Sequence, residues 1–325
     1  RHTSTCGRGR SAGIRRRFCT MREVGMMLTS FDQVLASAKE RASARVAVCA
    51  AQDREVLEAV RMAAEIGMGE FTLVGDARRI TELASSVGLD LSGIVVMDEP
   101  DTTKAARLAV GLVSAGQAGI LMKGLVPTAD FLRAVLDREV GLRTGKLLSH
   151  VAIFRSGRYD RFFYLTDGAM MVAPTLEEKV QIIENAVAVA HRLGNETPKV
   201  ACVAAVEVVN PAMPETVEAA ALAKMSDRRQ IKGCIVDGPL GLDNAVSMES
   251  AQHKGVSGPV AGQADIILAP DIAAGNAIYK TMIYFGDIES AAVVAGARAP
   301  IVLTSRSDSP RARLLSLAVA IVTSE

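Results

Sequence analysis

Residues 119–136, GILMKGLVPTADFLRAVL, contain the unit that decides the fold. The apolar run 119–123 has the length and composition of a buried β-strand, and the polar, Pro-led segment after it begins a helix. Short apolar runs alternate with longer helical patterns through most of the remaining sequence. This alternation predicts an α/β protein in which helices pack on mostly parallel strands.

Capping residues mark where the predicted helices begin. Thr175 and Glu178 have the spacing of a capping box, and Ser309 followed by Pro310 is a favourable cap and first-turn pair. A short turn separates the apolar runs around Val151 and Phe163, which predicts a hairpin. In total, ten apolar runs are predicted to be strands: residues 45–50, 71–75, 93–97, 119–123, 147–154, 162–165, 200–207, 233–237, 264–269 and 300–304.

The composition limits the size of the domains and the kind of partner. With 325 residues, the chain exceeds the size at which one core usually stops growing, so we expect two domains. Lys and Arg number 37 against 36 Asp and Glu, which leaves no overall field for binding a nucleic acid or an anionic membrane. We therefore expect small-molecule substrates, bound at a local site.

Cysteine use and hydropathy bear on location. The five cysteines are odd in number and include no Cys-x-x-Cys pair, so the sequence gives no zinc or redox motif and we expect no metal site. No apolar run reaches the ~18 residues that a membrane span needs. These features predict a cytoplasmic protein.

The N-terminal stretch differs from the rest. The first twenty residues contain six arginines, no acid and no hydrophobic periodicity. We expect residues 1–25 to be a non-native or disordered extension, with the natural start at Met26 or Met27 and Ser30 as the cap of the first helix. A transit peptide is the alternative interpretation, because such peptides are rich in Arg and poor in acids.

Polar residues just after the predicted strands are the candidates for a site, because open parallel sheets bind ligands there. Lys123, Thr128 and Arg133 place donors around a helix start, which suits an anion. The alternative is an ordinary Pro-led helix with a solvated Arg. Asp237 and Gly238 follow another strand, where a plain Asp-Gly-Pro turn explains them as well.

The last predicted strand is followed by the densest polar cluster in the sequence. Ser305, Arg306 and Asp308 lie there, ahead of a helix N-terminus; a capped loop with an exposed Arg is the alternative. Ser149 and His150 lie in an apolar strand, where a lone His is more often a core residue than a catalyst.

The segment APDIAAGNAIYK contributes one more candidate pair. Its residues Asn276 and Lys280 are one helical turn apart, on the same face of a predicted helix. Several familiar signatures are missing from the chain, namely the G-x-G-x-x-G turn, the P-loop, the G-x-S-x-G elbow and the H-E-x-x-H zinc motif. Their absence weakens interpretations based on nicotinamide binding, nucleotide hydrolysis or serine hydrolysis.

Taken in order, five segments resemble the phosphate acetyltransferase and phosphate butyryltransferase family. They are KGLVPTADFLRAVL, LRTGKLLSHVAIF, DGPLGLDNAVS, VAGQADIILAPDIAAGNAIYK and APIVLTSRSDS. The resemblance runs from about Met26 to the C-terminus, and LLSHVAIF and LTSRSD are similar to the butyryl branch in particular.

The resemblance implies a fold and a reaction. It implies two α/β/α domains with mostly parallel sheets and an interdomain cleft, a layout similar to isocitrate and isopropylmalate dehydrogenases. Residues 26–148 with 300–325 would form the first domain, and residues 149–299 the second. The reaction would be butanoyl-CoA + phosphate = butanoyl phosphate + CoA, catalysed by a homo-oligomer that needs no cofactor, since coenzyme A is a substrate.

The resemblance also implies residue roles. Ser305 and Arg306 match the active-site Ser-Arg pair of the family, and Arg133 matches an arginine that contacts phosphate or CoA. The acetyl enzymes carry an Asp six residues beyond the Arg, as the base for the CoA thiol, but this chain has Ala312 there. Asp308 is the nearest substitute for that base.

Other bases and other functions stay open at this point. His150, or the phosphate group itself, could take the thiol proton in place of a carboxylate. A phosphate acetyltransferase is the nearest alternative function. A metal- and NAD(P)-dependent hydroxyacid dehydrogenase of the same fold would need a cluster of aspartates, for which only Asp237 and Asp271 follow strands. A non-catalytic ligand-sensing domain is the third alternative.

Overall fold

The computed structural model describes residues 27–41, 43–157, 159–305 and 308–324. These residues form an eleven-stranded sheet with helices on both faces. The strands are β1 (Arg45–Cys49), β2 (Glu70–Gly75), β3 (Val95–Asp98), β4 (Ile120–Lys123), β5 (Ser149–Ser156), β6 (Phe163–Thr166), β7 (Lys199–Val203), β8 (Ile235–Leu240), β9 (Ile266–Leu268), β10 (Ile288–Ala295) and β11 (Ile301–Val302). The helices are α1 (Phe31–Glu40), α2 (Arg54–Glu65), α3 (Ala77–Val87), α4 (Thr102–Ser114), α5 (Thr128–Val135), α6 (Leu176–Arg192), α7 (Pro214–Asp227), α8 (Leu242–Val246), α9 (Met248–His253), α10 (Ile272–Phe285) and α11 (Pro310–Thr323).

The sheet consists of two parallel parts joined by antiparallel strands. Its order is β3-β2-β1-β4-β11-β10-β5-β6-β9-β7-β8. Strands β3, β2, β1, β4 and β11 are parallel to one another, as are β6, β9, β7 and β8. Strand β10 pairs antiparallel with both β11 and β5, and β5 pairs antiparallel with β6. The α/β prediction and the β5–β6 hairpin are confirmed.

Each of the ten predicted strands has a counterpart in the sheet, and the differences have local causes. The prediction missed β10, whose sequence IESAAVVA contains alanines and a glutamate that do not favour a strand. The strand predicted at 200–207 ends at Val203, where the pairing with β8 shifts register. Beyond it, Val208 and Val209 are exposed, so their β-branched side chains do not indicate a buried strand.

The predicted helix caps are confirmed. Ser30 and Thr175 each form a capping box, with Gln33 and Glu178 respectively. The side chain of Ser309 accepts from the backbone N–H of Ala312 at the start of α11. A side-chain cap of this kind stabilises a helix by about 1 kcal/mol.

Buried apolar side chains cover both faces of the sheet. On one face, α1, α2, α6 and α11 pack against β1, β4, β5 and β10. On the other, α4 and α5 cover the β1–β4 part, and α8, α9 and α10 cover the β5–β9 part. The three-layer arrangement therefore extends across the whole sheet.

The chain's C-terminal segment completes the first parallel part, since Ile301 and Val302 of β11 pair with Leu121 and Met122 of β4. The sheet is continuous from β3 to β8, and the division into domains at Ser149 and Pro300 stays a prediction. The proposed extension, residues 1–25, lies outside the described residues. No helix in the described ranges combines the length and apolarity that a bilayer crossing requires.

Candidate active site

The loop after β11 is held by a buried arginine. Arg313 of α11 is 4% exposed, and its guanidinium donates to the Oγ1 of Thr304 at 2.8 Å and to the carbonyl of Ser305 at 3.1 Å. Its Nε donates to the carbonyl of Asp308 at 3.3 Å. The Oδ2 of Asp308 accepts from the backbone N–H of Ser305 at 2.7 Å, which closes the loop. Arg306, the leading catalytic candidate, lies outside the described residues.

His150 lies close to this loop, on the sheet face covered by α10. Its ring is 6% exposed and meets the ring of Tyr279 edge to face, with centroids 5.9 Å apart. Among the described residues, its Nδ1 has no hydrogen-bond partner although it is buried. Burial lowers the pKa of His150 below 6.5, and Lys280 acts in the same direction, while Asp167 and Asp308 oppose the shift. The imidazole is therefore neutral at pH 7.

Asp167 ties the loop after β6 to the His150 backbone. Its Oδ2 accepts from the N–H of His150 at 2.9 Å, and its Oδ1 accepts from the N–H groups of Ala169 and Met170 at 2.7 and 2.8 Å. Asp167 is 3% exposed, so all three bonds are shielded from water. Asp167 thus fixes the backbone on which His150 sits.

Helix α10 brings two predicted residues to the same region. The Nζ of Lys280 lies 5.3 Å from the centroid of the Tyr279 ring, and the positive charge of Lys280 lowers the pKa of His150. Asn276, one turn earlier, donates from Nδ2 to the carbonyl of Gly168 at 3.1 Å, in the loop after β6. Burial, and secondarily the charge of Asp308, raise the pKa of Tyr279, so its hydroxyl stays protonated.

Lys123 ends the strand next to β11. The pairing of Met122 with Val302 in parallel strands places Lys123 at the same carboxyl end of the sheet as the loop that contains Ser305. Its side chain is 7% exposed, and its Nζ donates to the carbonyl of Gly124 at 3.2 Å. Neighbouring Cys49 is fully buried, and burial raises the pKa of its thiol to about 12. Cys49 is therefore a protonated core residue and a poor nucleophile.

Two other predicted residues lie on the surface of α5. Arg133 has a side chain that is 72% exposed and pairs with Asp130 at 2.5 Å, one turn earlier. Thr128 is exposed in the first turn of the helix, where Pro127 provides no side-chain cap. The structure places both near the end of β4, but holds neither of them in a buried network.

Ser149 points away from His150. Successive strand residues face opposite sides of a sheet, and the Oγ of Ser149 accepts from the Nδ2 of Asn185 of α6 at 2.9 Å. The hydroxyl is completely buried, so its present contact is with the helix layer on the opposite face.

Asp237 and Gly238 lie on β8, at the far edge of the sheet. Four inter-strand steps, roughly 19 Å, separate β8 from β5. Gly238 has φ 155°, and a Cβ there would lie 2.8 Å from the Cβ of Cys202, so packing requires glycine at this position. The Oδ1 of Asp237 accepts from the N–H of Gly238 at 2.8 Å. The strand order therefore keeps Asp237 and Gly238 away from His150 and Tyr279.

Sequence reasoning missed three residues of this region: Asp167, Tyr279 and Arg313. Asp167 comes two residues after the predicted strand 162–165, so the rule that identified Ser305 applied to it as well. Arg313 lies directly before the apolar run of its helix, two residues after Arg311, and a cation at the start of such a run was a usable signal. Tyr279 gave no signal, because an aromatic residue on a helix usually packs in a core.

The described ranges contain no group of three or more His, Cys, Asp or Glu side chains arranged to hold a metal ion. The region instead combines a capped polar loop, a buried neutral histidine, a lysine at the end of β4 and a lysine on α10. Such an arrangement suits the binding of an anion and the transfer of a proton.

Comparison with known proteins agrees with these features. The phosphate acetyl/butaryl transferase family matches residues 30–107 and 99–321. Phosphate butyryltransferase of Clostridium acetobutylicum is 52% identical over 294 residues, covering 90% of this chain and 98% of the relative. Phosphate acetyltransferase of Thermotoga maritima is 45% identical over 278 residues, covering 86% of this chain and 94% of the relative.

A solved structure gives the same assignment. The crystal structure of a branched-chain phosphotransacylase from Enterococcus faecalis V583 superimposes with a TM-score of 0.78 at 35% identity, covering 86% of this chain and 98% of the other. Sequence and structure thus agree over nearly the whole length of these relatives, and the chain belongs to the phosphate acetyl/butaryl transferase family.

Proposed function

We propose that this chain is a phosphate butyryltransferase, catalysing butanoyl-CoA + phosphate = butanoyl phosphate + CoA. The observation that carries the proposal is the 52% identity, over 98% of its length, to a protein named phosphate butyryltransferase. The polar loop at 304–308, beside a buried neutral histidine, supplies the groups that such a reaction needs.

The reaction needs positioning and charge neutralisation more than covalent catalysis. Phosphate attacks the thioester carbonyl, and the tetrahedral intermediate then expels CoA thiolate. Arg306 would pair with phosphate oxygens and stabilise the oxyanion, and the hydroxyl of Ser305 would donate to the same oxygen. Holding both substrates in line lowers the barrier by several kcal/mol, roughly, through avoided entropy loss.

In the reverse direction the CoA thiol must lose a proton. Asp308 is the proposed base, because one carboxylate oxygen accepts from Ser305 while the side chain remains partly exposed in the loop. His150 is the alternative, because the Nδ1 of its neutral ring has no hydrogen-bond partner among the described residues. Asp167 supports either assignment, since it fixes the His150 backbone without using the imidazole.

The remaining predicted residues would bind the phosphates and the pantetheine arm of CoA. Lys123 and Lys280 are suited to anions, and Arg133 and Thr128 would meet the more exposed part of the ligand. Asn276 offers a side-chain amide near Gly168. Ser149 faces the α6 layer, and Asp237 and Gly238 lie on β8 at the sheet edge, so none of the three is assigned a contact with the ligand. Coenzyme A acts as substrate, and no cofactor is required.

The resemblance to the family also supports the wider setting. We infer two domains, residues 26–148 with 300–325 and residues 149–299, with the substrates in a cleft between them as in the isocitrate dehydrogenase fold. We infer a cytoplasmic homo-oligomer for the same reason.

The test is to mix the protein with butyryl-CoA and phosphate, and to follow free thiol and acyl phosphate together. The proposal requires the two products in equal amounts and no thiol release without phosphate. Thiol release without acyl phosphate would indicate a hydrolase. Absence of turnover with every short acyl-CoA, under conditions where CoA binds, would favour the ligand-sensing alternative.

A further inference from the structure

Within the part of the chain that the structure describes, the guanidinium of Arg313 donates its hydrogen bonds to one short segment. Its three hydrogen bonds reach Thr304, Ser305 and Asp308, which bracket the loop that contains Arg306. Arg41, by comparison, donates to the carbonyls of Ile321 and Val322 at the end of α11, an ordinary helix-end contact. The guanidinium of Arg313 therefore hydrogen-bonds to a loop rather than to a helix end.

Among the described residues, Arg313 has no ion-pair partner. Within the described ranges, no carboxylate oxygen lies within 4.0 Å of its guanidinium, and the three acceptors are a hydroxyl and two carbonyls. Removing a guanidinium from water without an ion pair is costly. Arg313 also lies at the fourth residue of α11, near the positive end of the helix dipole.

We propose that Arg313 is a positioning residue: its planar fork fixes Thr304, Ser305 and Asp308, and its buried charge favours phosphate beside Ser305. This inference rests on the proposed function, because it concerns the same loop. The fork spans the loop from Thr304 to Asp308, so the backbone of Ser305 is held from both ends. Preorganised loops of this kind lower the cost of aligning donors with a developing oxyanion.

The test compares Arg313→Met and Arg313→Lys with wild type in steady-state assays with butyryl-CoA and phosphate. Met keeps the length of the stem without charge or donors, and Lys keeps the charge without the planar fork. For Arg313→Met we expect kcat to fall on the order of 30-fold and KM for phosphate to rise on the order of tenfold, with KM for butyryl-CoA within twofold. Lys should recover part of both losses.

Arg311→Met is the matched control. Arg311 lies two residues away on the same helix, but its side chain is half exposed and pairs with Glu289 at 3.1 Å. We expect its kinetic constants to stay within twofold of wild type. A merely structural role of Arg313 would lower the active fraction and leave KM for phosphate unchanged, which would overturn the inference.

Two further outcomes separate this inference from the proposed function. If wild type shows no phosphate-dependent thiol release, the proposed function fails, and with it the premise of this inference. If wild type is active and Arg313→Lys folds with wild-type values of kcat and KM for phosphate, the positioning role alone is wrong.

Thr304→Val removes one acceptor of the fork, so combining it with Arg313→Met should add little to the loss in kcat.

Discussion

Two neighbouring segments follow the strands β4 and β11, and they differ in the contacts that hold them. After β11, the side chain of Asp308 accepts a hydrogen bond from the N–H of Ser305, and the buried Arg313 donates to Thr304. After β4, Lys123 is buried, but Arg133 projects into solvent and pairs only with Asp130. Both segments resemble anion sites in sequence, yet only the loop after β11 is braced by a buried side chain from another element.

The difference teaches which of the two segments can do chemistry. A fixed donor acts on a developing charge without having to be reorganised, whereas an exposed arginine is hydrated and mobile and serves best as a ligand anchor. We therefore expect changes in the loop after β11 to fall on kcat, and changes on α5 to fall on KM. The following predictions test that contrast.

The largest effect is expected for Arg306→Ala. Loss of the cation that stabilises the oxyanion should lower kcat on the order of 100-fold or more, while the melting temperature stays near that of wild type because position 306 falls between β11 and α11 in the sequence. Arg306→Lys should lie between the two, since Lys attracts phosphate but lacks the planar fork. A wild-type kcat for Arg306→Ala would place the active site elsewhere.

Replacement of Asp308 should give the next largest effect. Asp308→Asn keeps the acceptor for the Ser305 N–H but removes the base, so CoA-dependent consumption of butanoyl phosphate should slow by about tenfold. The loss stays modest because a small fraction of a thiol ionises near neutral pH even without a general base. His150→Gln provides the comparison, with an expected loss under about threefold. The opposite order of losses would make His150 the base.

A smaller effect, on binding, is expected for α5. Arg133→Ala should raise KM for one or both substrates by about three- to tenfold and leave kcat within twofold, as for an anchor that acts equally in ground state and transition state. Asp130→Ala is the control, because it frees Arg133 from its ion pair without removing the cation. A fall in kcat for Arg133→Ala as large as that for Arg306→Ala would erase the contrast between the two segments.

The smallest effect concerns stability and pH. Burial lowers the pKa of His150 in the folded protein, so the unfolded chain binds this proton at higher pH than the folded one. Stability should therefore fall as pH drops below about 6.5, the ordinary value for His, toward the lower folded pKa. Between pH 8 and pH 5, the melting temperature of His150→Gln should decrease less with falling pH than that of wild type. Equal slopes would mean that His150 is protonated or exposed in the folded state.

The ends of strands were predictable because hydrophobic runs and capping residues are local features. They identified Lys123, Ser305, Asp308 and Lys280 without reference to tertiary structure. The contact between Asp167 and the His150 backbone depends on pairing between β5 and β6, whose register no local pattern specifies. The resemblance to the family, rather than periodicity, indicated that the C-terminal segment joins the first part of the sheet.

Side-chain direction was the other limit. The sequence cannot show that Arg313 folds back onto its own preceding loop, or that Ser149 and His150 serve opposite faces of the sheet, until the strand boundaries are known to the residue. Strand β10 escaped prediction because alanine-rich segments fit helices as well as strands, and its identity depends on the two partners that flank it.

Transfer of a butanoyl group to phosphate is tested most directly by the kcat/KM of the wild-type protein for butyryl-CoA and for acetyl-CoA, measured by thiol release at saturating phosphate. We predict a higher kcat/KM for butyryl-CoA, together with one butanoyl phosphate formed for each thiol released. Equal or reversed values would assign the chain to the acetyl branch, and no phosphate-dependent turnover of either substrate would contradict an acyltransferase function.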